Sequence, residues 1–254
     1  MKQLYVKSIG AGPDLVLLHG WGLHGGVWSA IAGALASRFR VSMVDLPGHG
    51  FSSWLAFRGL DETADDVAAV TPTGALVCGW SLGGLVAQRL ARLHPVRVRA
   101  LALVSATPCF VQREDWPYAM KPETLAGFAS GLRTDLEPTL KTFVALNALG
   151  GTTSRPAMRA LAAELVARGA PDPSALDAGL ATLRAADLRS EVAAITQPAV
   201  VIHGRRDALV PIEAGRWLAA HLRQASLVEL EDAGHLPFVS HATQFAQALE
   251  PLRG

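Results

Sequence analysis

Six short apolar runs set the limits on what this chain can fold into: DLVLLHG (14–20), RVSMVDL (40–46), ALVCGW (75–80), VRALALVSA (98–106), PAVVIHG (198–204) and ASLVELEDAG (225–234). A strand that is apolar at successive positions is buried on both faces, as in a parallel sheet covered by helices. Stretches with helical spacing lie between the runs, at 27–38, 61–70, 84–94, 212–222 and 241–252. Strands alternating with helices predict an α/β fold with a mostly parallel, doubly wound sheet. Residues 2–10, KQLYVKSIG, alternate better and are expected to add an antiparallel edge strand.

The rhythm breaks between about 109 and 186. That stretch carries no strand pattern and offers helical pieces near 122–132, 136–149, 154–168 and 173–186, separated by Gly and Pro. The simplest reading is one core, 1–108 with 187–254, holding a helical cap, 109–186, over one edge of its sheet. Half of the 254 residues are apolar, which suffices for such a core.

Charge excludes several partners. The formal net charge is +1, from 23 basic and 22 acidic residues, so nothing draws the chain as a whole to nucleic acid or membranes. No apolar run is long enough for a signal peptide or a membrane span. Cys78 and Cys109 lack metal-ligand spacing, and Cys78 falls inside a strand pattern as a core thiol. The expectation is a cytoplasmic monomer with no metal and no cofactor.

The chemistry enters at Gly79-Trp80-Ser81-Leu82-Gly83, which matches the G-x-S-x-G elbow at a strand-to-helix junction. Such a turn lifts the serine oxygen above the sheet and is expected to hold Ser81 at positive φ. A serine hydroxyl is a weak nucleophile unless a base activates it and an acid orients that base. Both follow the serine in the chain order this motif implies. His235, in the loop DAGHLPF after the last run, is the candidate base. His203 sits in or at the end of a strand, and His221 and His241 fall on helices. Asp207, a few residues after PAVVIHG, is the candidate acid; its other reading is a helix cap or an ion pair with Arg205 or Arg206. Asp45 in DLPGHG precedes the serine and reads as structural.

A tetrahedral oxyanion needs two preorganised N–H donors. The backbone of Leu82 is one, and Trp21 in LLHGWG (17–22) is the candidate for the other. His19 in the same loop reads as a residue that holds the loop by hydrogen bonding.

Taken together, HGWG, DLPGHG, GWSLGG, GRRDALVP and AGHLPF resemble the α/β-hydrolase superfamily over nearly the whole chain. A narrower resemblance, carried by the Trp of GWSLGG, the PCF…DWP…KPETLAGF run (108–128) and KTFVALN (141–147), is to pimeloyl-[acyl-carrier protein] methyl ester esterases. It implies a carboxylic ester hydrolase of biotin synthesis that frees the far carboxylate of a carrier-borne pimeloyl chain and releases methanol. It also implies that Trp21, Ser81, Leu82, Phe143, Val144, Ala145, Leu146, Asn147 and His235 contact the substrate, although ordinary packing would place Phe143 in a cap as well.

The implied partner, an acyl carrier protein, is acidic, so the cap should offer cations. Lys141, Arg155 and Arg159 match basic docking positions of the resemblance, whereas Pro138 and Thr142 stand where it would place two further arginines. A solvated helix face is the other reading of these cations. Two alternatives to the carrier-linked esterase stay open on sequence: a general small-ester or carbon–carbon bond hydrolase with the same triad, and a non-catalytic ligand-binding protein of the same fold.

Overall fold

The computed structural model describes residues 3–253, the side chains of residues 165 and 166 excepted. Residue 2 of the expected first strand therefore lies outside the described residues. Seven strands form one sheet: β1 (Val6–Ile9), β2 (Asp14–Leu18), β3 (Arg40–Val44), β4 (Ala75–Trp80), β5 (Val98–Val104), β6 (Ala199–Gly204) and β7 (Ala225–Leu230). Their order is β1-β3-β2-β4-β5-β6-β7. Only β1 runs antiparallel, Val6 opposite Val44 and Ile9 opposite Val41. Each observed strand stops short of the loop end of its apolar run or at it. The extra residues of DLVLLHG and ASLVELEDAG are loop residues: His19, Gly20, Ala233 and Gly234 are buried, Asp232 is half-buried and Glu231 is exposed.

The two-sided burial read from the runs has a direct structural counterpart. On β4, Leu76, Cys78 and Trp80 face one helical layer, and Ala75 and Val77 face the other. The first layer is α1 (Ser29–Ala36), α9 (Pro237–Ser240) and α10 (Ala242–Leu249). Its centre is Trp28, fully buried, with Phe238 at 4.2 Å and Phe245 at 6.1 Å between ring centroids. The second layer is α2 (Leu60–Val70), α3 (Leu82–Leu93) and α8 (Ile212–His221). Burying a large apolar side chain contributes about 1.5–3 kcal/mol, so these layers dominate the sheet's stability.

Four helices occupy the chain between β5 and β6: α4 (Pro122–Thr134), α5 (Leu136–Ala148), α6 (Arg155–Ala167) and α7 (Pro173–Ala185). Proline opens α4 and α7 at the first turn, where its missing N–H costs nothing, and Asp172 caps α7 by accepting from the Ser174 amide at 2.7 Å. The apolar faces of α4, α5 and α7, with Phe128, Phe143, Leu176 and Leu180, close a third cluster against Trp21, Leu82 and Leu85. The inserted helices thus cover the carboxyl ends of β2 and β4. One buried ion pair fastens α6 to the core. Arg168, just beyond that helix, donates to Asp45 Oδ1 at 2.7 Å, and its guanidinium lies over the rings of Tyr5 and Phe51. Burial against Asp45 sets Arg168 apart from the exposed cations of this stretch, Lys141, Arg155 and Arg159.

Candidate active site

The site begins with a backbone conformation. β4 ends at Trp80, α3 begins at Leu82, and Ser81 between them has φ 56° and ψ −119°. Holding a non-glycine residue there costs on the order of 1–3 kcal/mol. The turn is possible because strand and helix nearly touch. A Cβ on Gly79 would lie 2.2 Å from the Gly83 carbonyl oxygen, and one on Gly83 would lie 2.4 Å from that of Leu18. The Ser81 amide is held by the Val104 carbonyl at 3.0 Å.

Asp207 and His235 meet beside this turn. Asp207 follows β6, and its Oδ1 accepts from the amides of Leu209 and Val210, both at 2.9 Å. Its Oδ2 accepts from His235 Nδ1 at 2.7 Å. That bond leaves His235 Nε2 as the unprotonated nitrogen. Burial, the largest single influence, pushes the Asp207 carboxyl up, but the neighbouring His235 and His203 and the hydrogen bonds from His235 and the Val210 amide together hold it below the ordinary aspartate value. The cap reading of Asp207 is partly met as well, since its two amide partners form the turn before α8, whereas the ion-pair reading is not, since Arg205 pairs with Glu229 and Glu231 and Arg206 with Asp232.

His235 Nε2 is buried and has no hydrogen-bond partner among the described residues. It borders a cavity of about 20 Å³ that Ser81 borders too. No hydrogen bond joins Ser81 Oγ to this nitrogen; such bonds are often long before substrate arrives and tighten in the complex. The remaining walls are Trp21, Phe110, Met120, Leu125, Phe128, Phe143, Leu180, Leu183 and Leu209, so the space is apolar apart from Ser81 and His235.

One candidate oxyanion donor, at Leu82, follows Ser81 in the chain, and the other, at Trp21, belongs to a residue that borders the same cavity. The Leu82 amide opens α3, at the positive end of a helix, and the Trp21 amide lies in the turn after β2. Among the described residues neither amide donates to a protein acceptor. The Trp21 side chain is fixed by a bond from its Nε1 to the Leu176 carbonyl at 2.9 Å and by edge contact with Phe143 at 4.8 Å. His19 holds this loop. Its Nε2 accepts from the Leu46 amide at 2.9 Å, and its Nδ1 donates to the Gly20 carbonyl at 2.8 Å. Burial keeps it neutral, its pKa well below the ordinary histidine value. Asp45 is structural, accepting from the amides of Gly25 and Phe51 as well as from Arg168.

Other sequence candidates separate. Of the stretch 143–147, Phe143 lines the cavity. Val144 packs into the opposite cluster, Ala145 is exposed, and Leu146 and Asn147 are set back from the cavity wall. The cause is the helix: α5 turns by 3.6 residues, so five consecutive side chains cannot share one face. Leu82 packs beside Trp21 rather than on the cavity wall. Lys141 pairs with Glu137 at 2.6 Å on the surface, while Arg155 and Arg159 are exposed on α6 and form no ion pair among the described residues. His203 is a buried strand residue bonded to the Val210 carbonyl, and His241 stands between α9 and α10 rather than within a helix. Sequence reading missed Leu125, Phe128, Leu180 and Leu209 as cavity walls. The helical spacing of 125 and 128 was the available signal, but it does not say which face of a helix looks at the elbow.

A model of the alpha/beta hydrolase family matches residues 15–248. A Nitrosomonas europaea protein named pimeloyl-[acyl-carrier protein] methyl ester esterase is 42% identical over 252 residues, 99% of this chain and 100% of that protein. A Chromobacterium violaceum protein of the same name is 46% identical, covering 97% of this chain and 96% of its own. Among solved structures, an esterase from Exiguobacterium antarcticum superposes with a TM-score of 0.89 at 25% identity, over 98% of this chain and 94% of that one. An enol-lactonase from Burkholderia xenovorans gives 0.85 at 26% identity, over 98% and 95%.

Proposed function

Since this chain belongs to the alpha/beta hydrolase family, we propose that it is a serine esterase that hydrolyses the methyl ester of pimeloyl-[acyl-carrier protein] to pimeloyl-[acyl-carrier protein] and methanol. The observation that carries this reading is that the identity to esterases of that name runs the whole length of the chain, including the helices that wall the cavity. We read residues 109–186 as a cap on a core of 1–108 and 187–254.

In this mechanism Ser81 Oγ attacks the carbonyl carbon of the methyl ester as His235 Nε2 takes its proton. Asp207 keeps the imidazole in the tautomer that leaves Nε2 free and stabilises the imidazolium that forms. The oxyanion is received by the amides of Trp21 and Leu82. As the intermediate collapses, His235 returns the proton to the methoxy oxygen and methanol leaves. A water molecule then gives a proton to His235 and attacks the acyl-Ser81 ester, which regenerates the serine and releases the carboxylate. The apolar walls keep other water away from the acyl-enzyme.

The partner is the acidic carrier protein, which is too large to enter and stays outside the cap. Lys141, Arg155 and Arg159 are one candidate docking face, weakened by the pairing of Lys141 with Glu137. The reading carries with it a cytoplasmic monomer; two buried free thiols, Cys78 and Cys109, fit a reducing compartment. The superposition on an enol-lactonase favours a second reading, a general ester hydrolase with the same triad. The deciding experiment is genetic: the chain restores biotin-free growth to a bacterial strain lacking its own pimeloyl-carrier methyl ester esterase, and its Ser81→Ala variant does not. Failure of the unaltered chain, expressed and active on p-nitrophenyl esters, favours the second reading.

A further inference from the structure

A second histidine stands beside the carboxylate of Asp207. His203, near the end of β6, has its Nε2 3.5 Å from Asp207 Oδ2, the oxygen that also receives His235 Nδ1 at 2.7 Å. Two buried imidazoles therefore flank one carboxylate oxygen.

The partners of His203 place its proton. Nε2 lies 2.9 Å from the Val210 carbonyl oxygen, which can only accept, so Nε2 carries the hydrogen. Nδ1 is buried and has no partner among the described residues. It faces α8, where a Cβ on Gly215 would lie 2.6 Å from it, so the glycine leaves room for the ring and supplies no donor to it. Burial is the largest influence on this imidazole and holds it below the ordinary histidine value, against the pull of Asp207 and the Val210 carbonyl. The other charged groups that reach it are His235, Glu213 of α8 and Glu229, its register partner on β7, which pairs with Arg205 and Arg216. His203 is thus a neutral donor.

These contacts close a ring around the catalytic acid. Val210 gives its amide to Asp207 Oδ1 at 2.9 Å and its carbonyl to His203, and His203 in turn stands against Oδ2. A neutral donor suits that place. A full cation there would compete for Oδ2 with the imidazolium that His235 becomes in turnover, and an apolar side chain would withdraw the donor from the Val210 carbonyl.

Resting on the reading of Ser81, His235 and Asp207 as a catalytic triad, we propose that His203 is a positioning residue of that triad: it fixes the Asp207 carboxylate in the plane that faces His235 and takes up part of the charge on Oδ2. It does not border the cavity at Ser81, so it acts through Asp207.

The test follows kcat and kcat/KM on p-nitrophenyl acetate across pH in His203→Leu, His203→Asn and His203→Gln. The Gln amide nitrogen can stand where Nε2 stands and donate to the Val210 carbonyl; that of Asn, one bond shorter, cannot. In the Leu and Asn variants the acid limb of kcat/KM moves up by about half a pH unit, because the whole charge of Oδ2 then acts on the imidazolium of His235. The plateau kcat falls about fivefold and KM stays within about twofold. His203→Gln returns the limb and most of kcat. Should the Leu variant fail to fold, the Asn and Gln variants make the same comparison at matched polarity. An acid limb that stays in place, or a loss of kcat that Gln does not restore, overturns the role of His203 and leaves the triad standing. Turnover of p-nitrophenyl acetate that survives Ser81→Ala overturns the triad reading and the role of His203 with it.

Discussion

The indole N–H of Trp80 donates to the backbone carbonyl of His235 at 2.8 Å, and the two rings lie 5.6 Å apart. The residue before the proposed nucleophile thus fixes the backbone of the proposed base, 155 positions later in the chain. Asp207 fixes the same imidazole from the other side. Trp80→Phe removes the donor and leaves a buried carbonyl unpaired, which costs about 1–3 kcal/mol of stability. Because the ring of His235 then loses one of its two constraints, kcat falls about tenfold while KM stays within about twofold. Steady-state kinetics and urea unfolding of the one variant check both statements; an unaltered kcat removes Trp80 from any positioning role.

Asp207→Asn tests the orienting acid. The amide presents a donor where His235 Nδ1 needs an acceptor, so the imidazole turns to the wrong tautomer and turnover falls by about 10⁴. The Leu209 and Val210 amides keep their acceptor if the Asn oxygen takes the place of Oδ1. The loss is therefore in kcat with the fold retained, which circular dichroism of the variant checks.

Arg168→Met tests the fastening of α6 to the core. Arg168 is nearly buried and Asp45 wholly so, and removing one partner of a buried pair costs about 3–5 kcal/mol because the other charge is left alone. The double variant Arg168→Met/Asp45→Asn recovers part of that loss. Chemical denaturation of the single and double variants measures the coupling; additive effects would show that the pair is not coupled.

Stability depends on pH through histidines that exchange no proton in the mechanism. Burial lowers His49 to about 4, and lowers His19, His24 and His203 below the ordinary value as well. In the unfolded chain these residues bind protons below about pH 6.5. The folded chain does not bind one at His49 until about pH 4. The unfolded state binds more protons across that window, so stability is full above pH 6.5 and declines as the pH falls towards 4. For His49 alone the loss is on the order of 3 kcal/mol. Asp207, held below its unfolded value, extends the decline to lower pH. Denaturation midpoints measured from pH 7.5 down to about 4.5 fall on acidification in the unaltered chain and fall less in His49→Gln; a flat profile contradicts the account.

How much of this was legible in the sequence follows from the range of each interaction. Strands, helices and the Ser81 elbow rest on local pattern, and the chain writes them out: GWSLGG fixes a turn because Gly79 and Gly83 are the residues that let β4 and α3 touch. Asp207 and His235 were legible one step further, since each follows a readable strand. The bond from Trp80 to His235 and the pair of Arg168 with Asp45 join residues more than a hundred positions apart, and nothing in either segment announces the other. The cavity wall was legible by composition but not by direction. Phe143 was found and Val144 and Ala145 were grouped with it, because a resemblance over five consecutive residues ignores the turn of the helix on which they lie.

The central claim is that Ser81 performs covalent ester cleavage on a carrier-borne chain, and the most direct measurement is the mass of the carrier. Incubation of the carrier-linked pimeloyl methyl ester with the unaltered enzyme should reduce the carrier's mass by one methylene and release one equivalent of methanol, and Ser81→Ala should leave the mass unchanged. Conversion by Ser81→Ala at the rate of the unaltered enzyme would contradict the account.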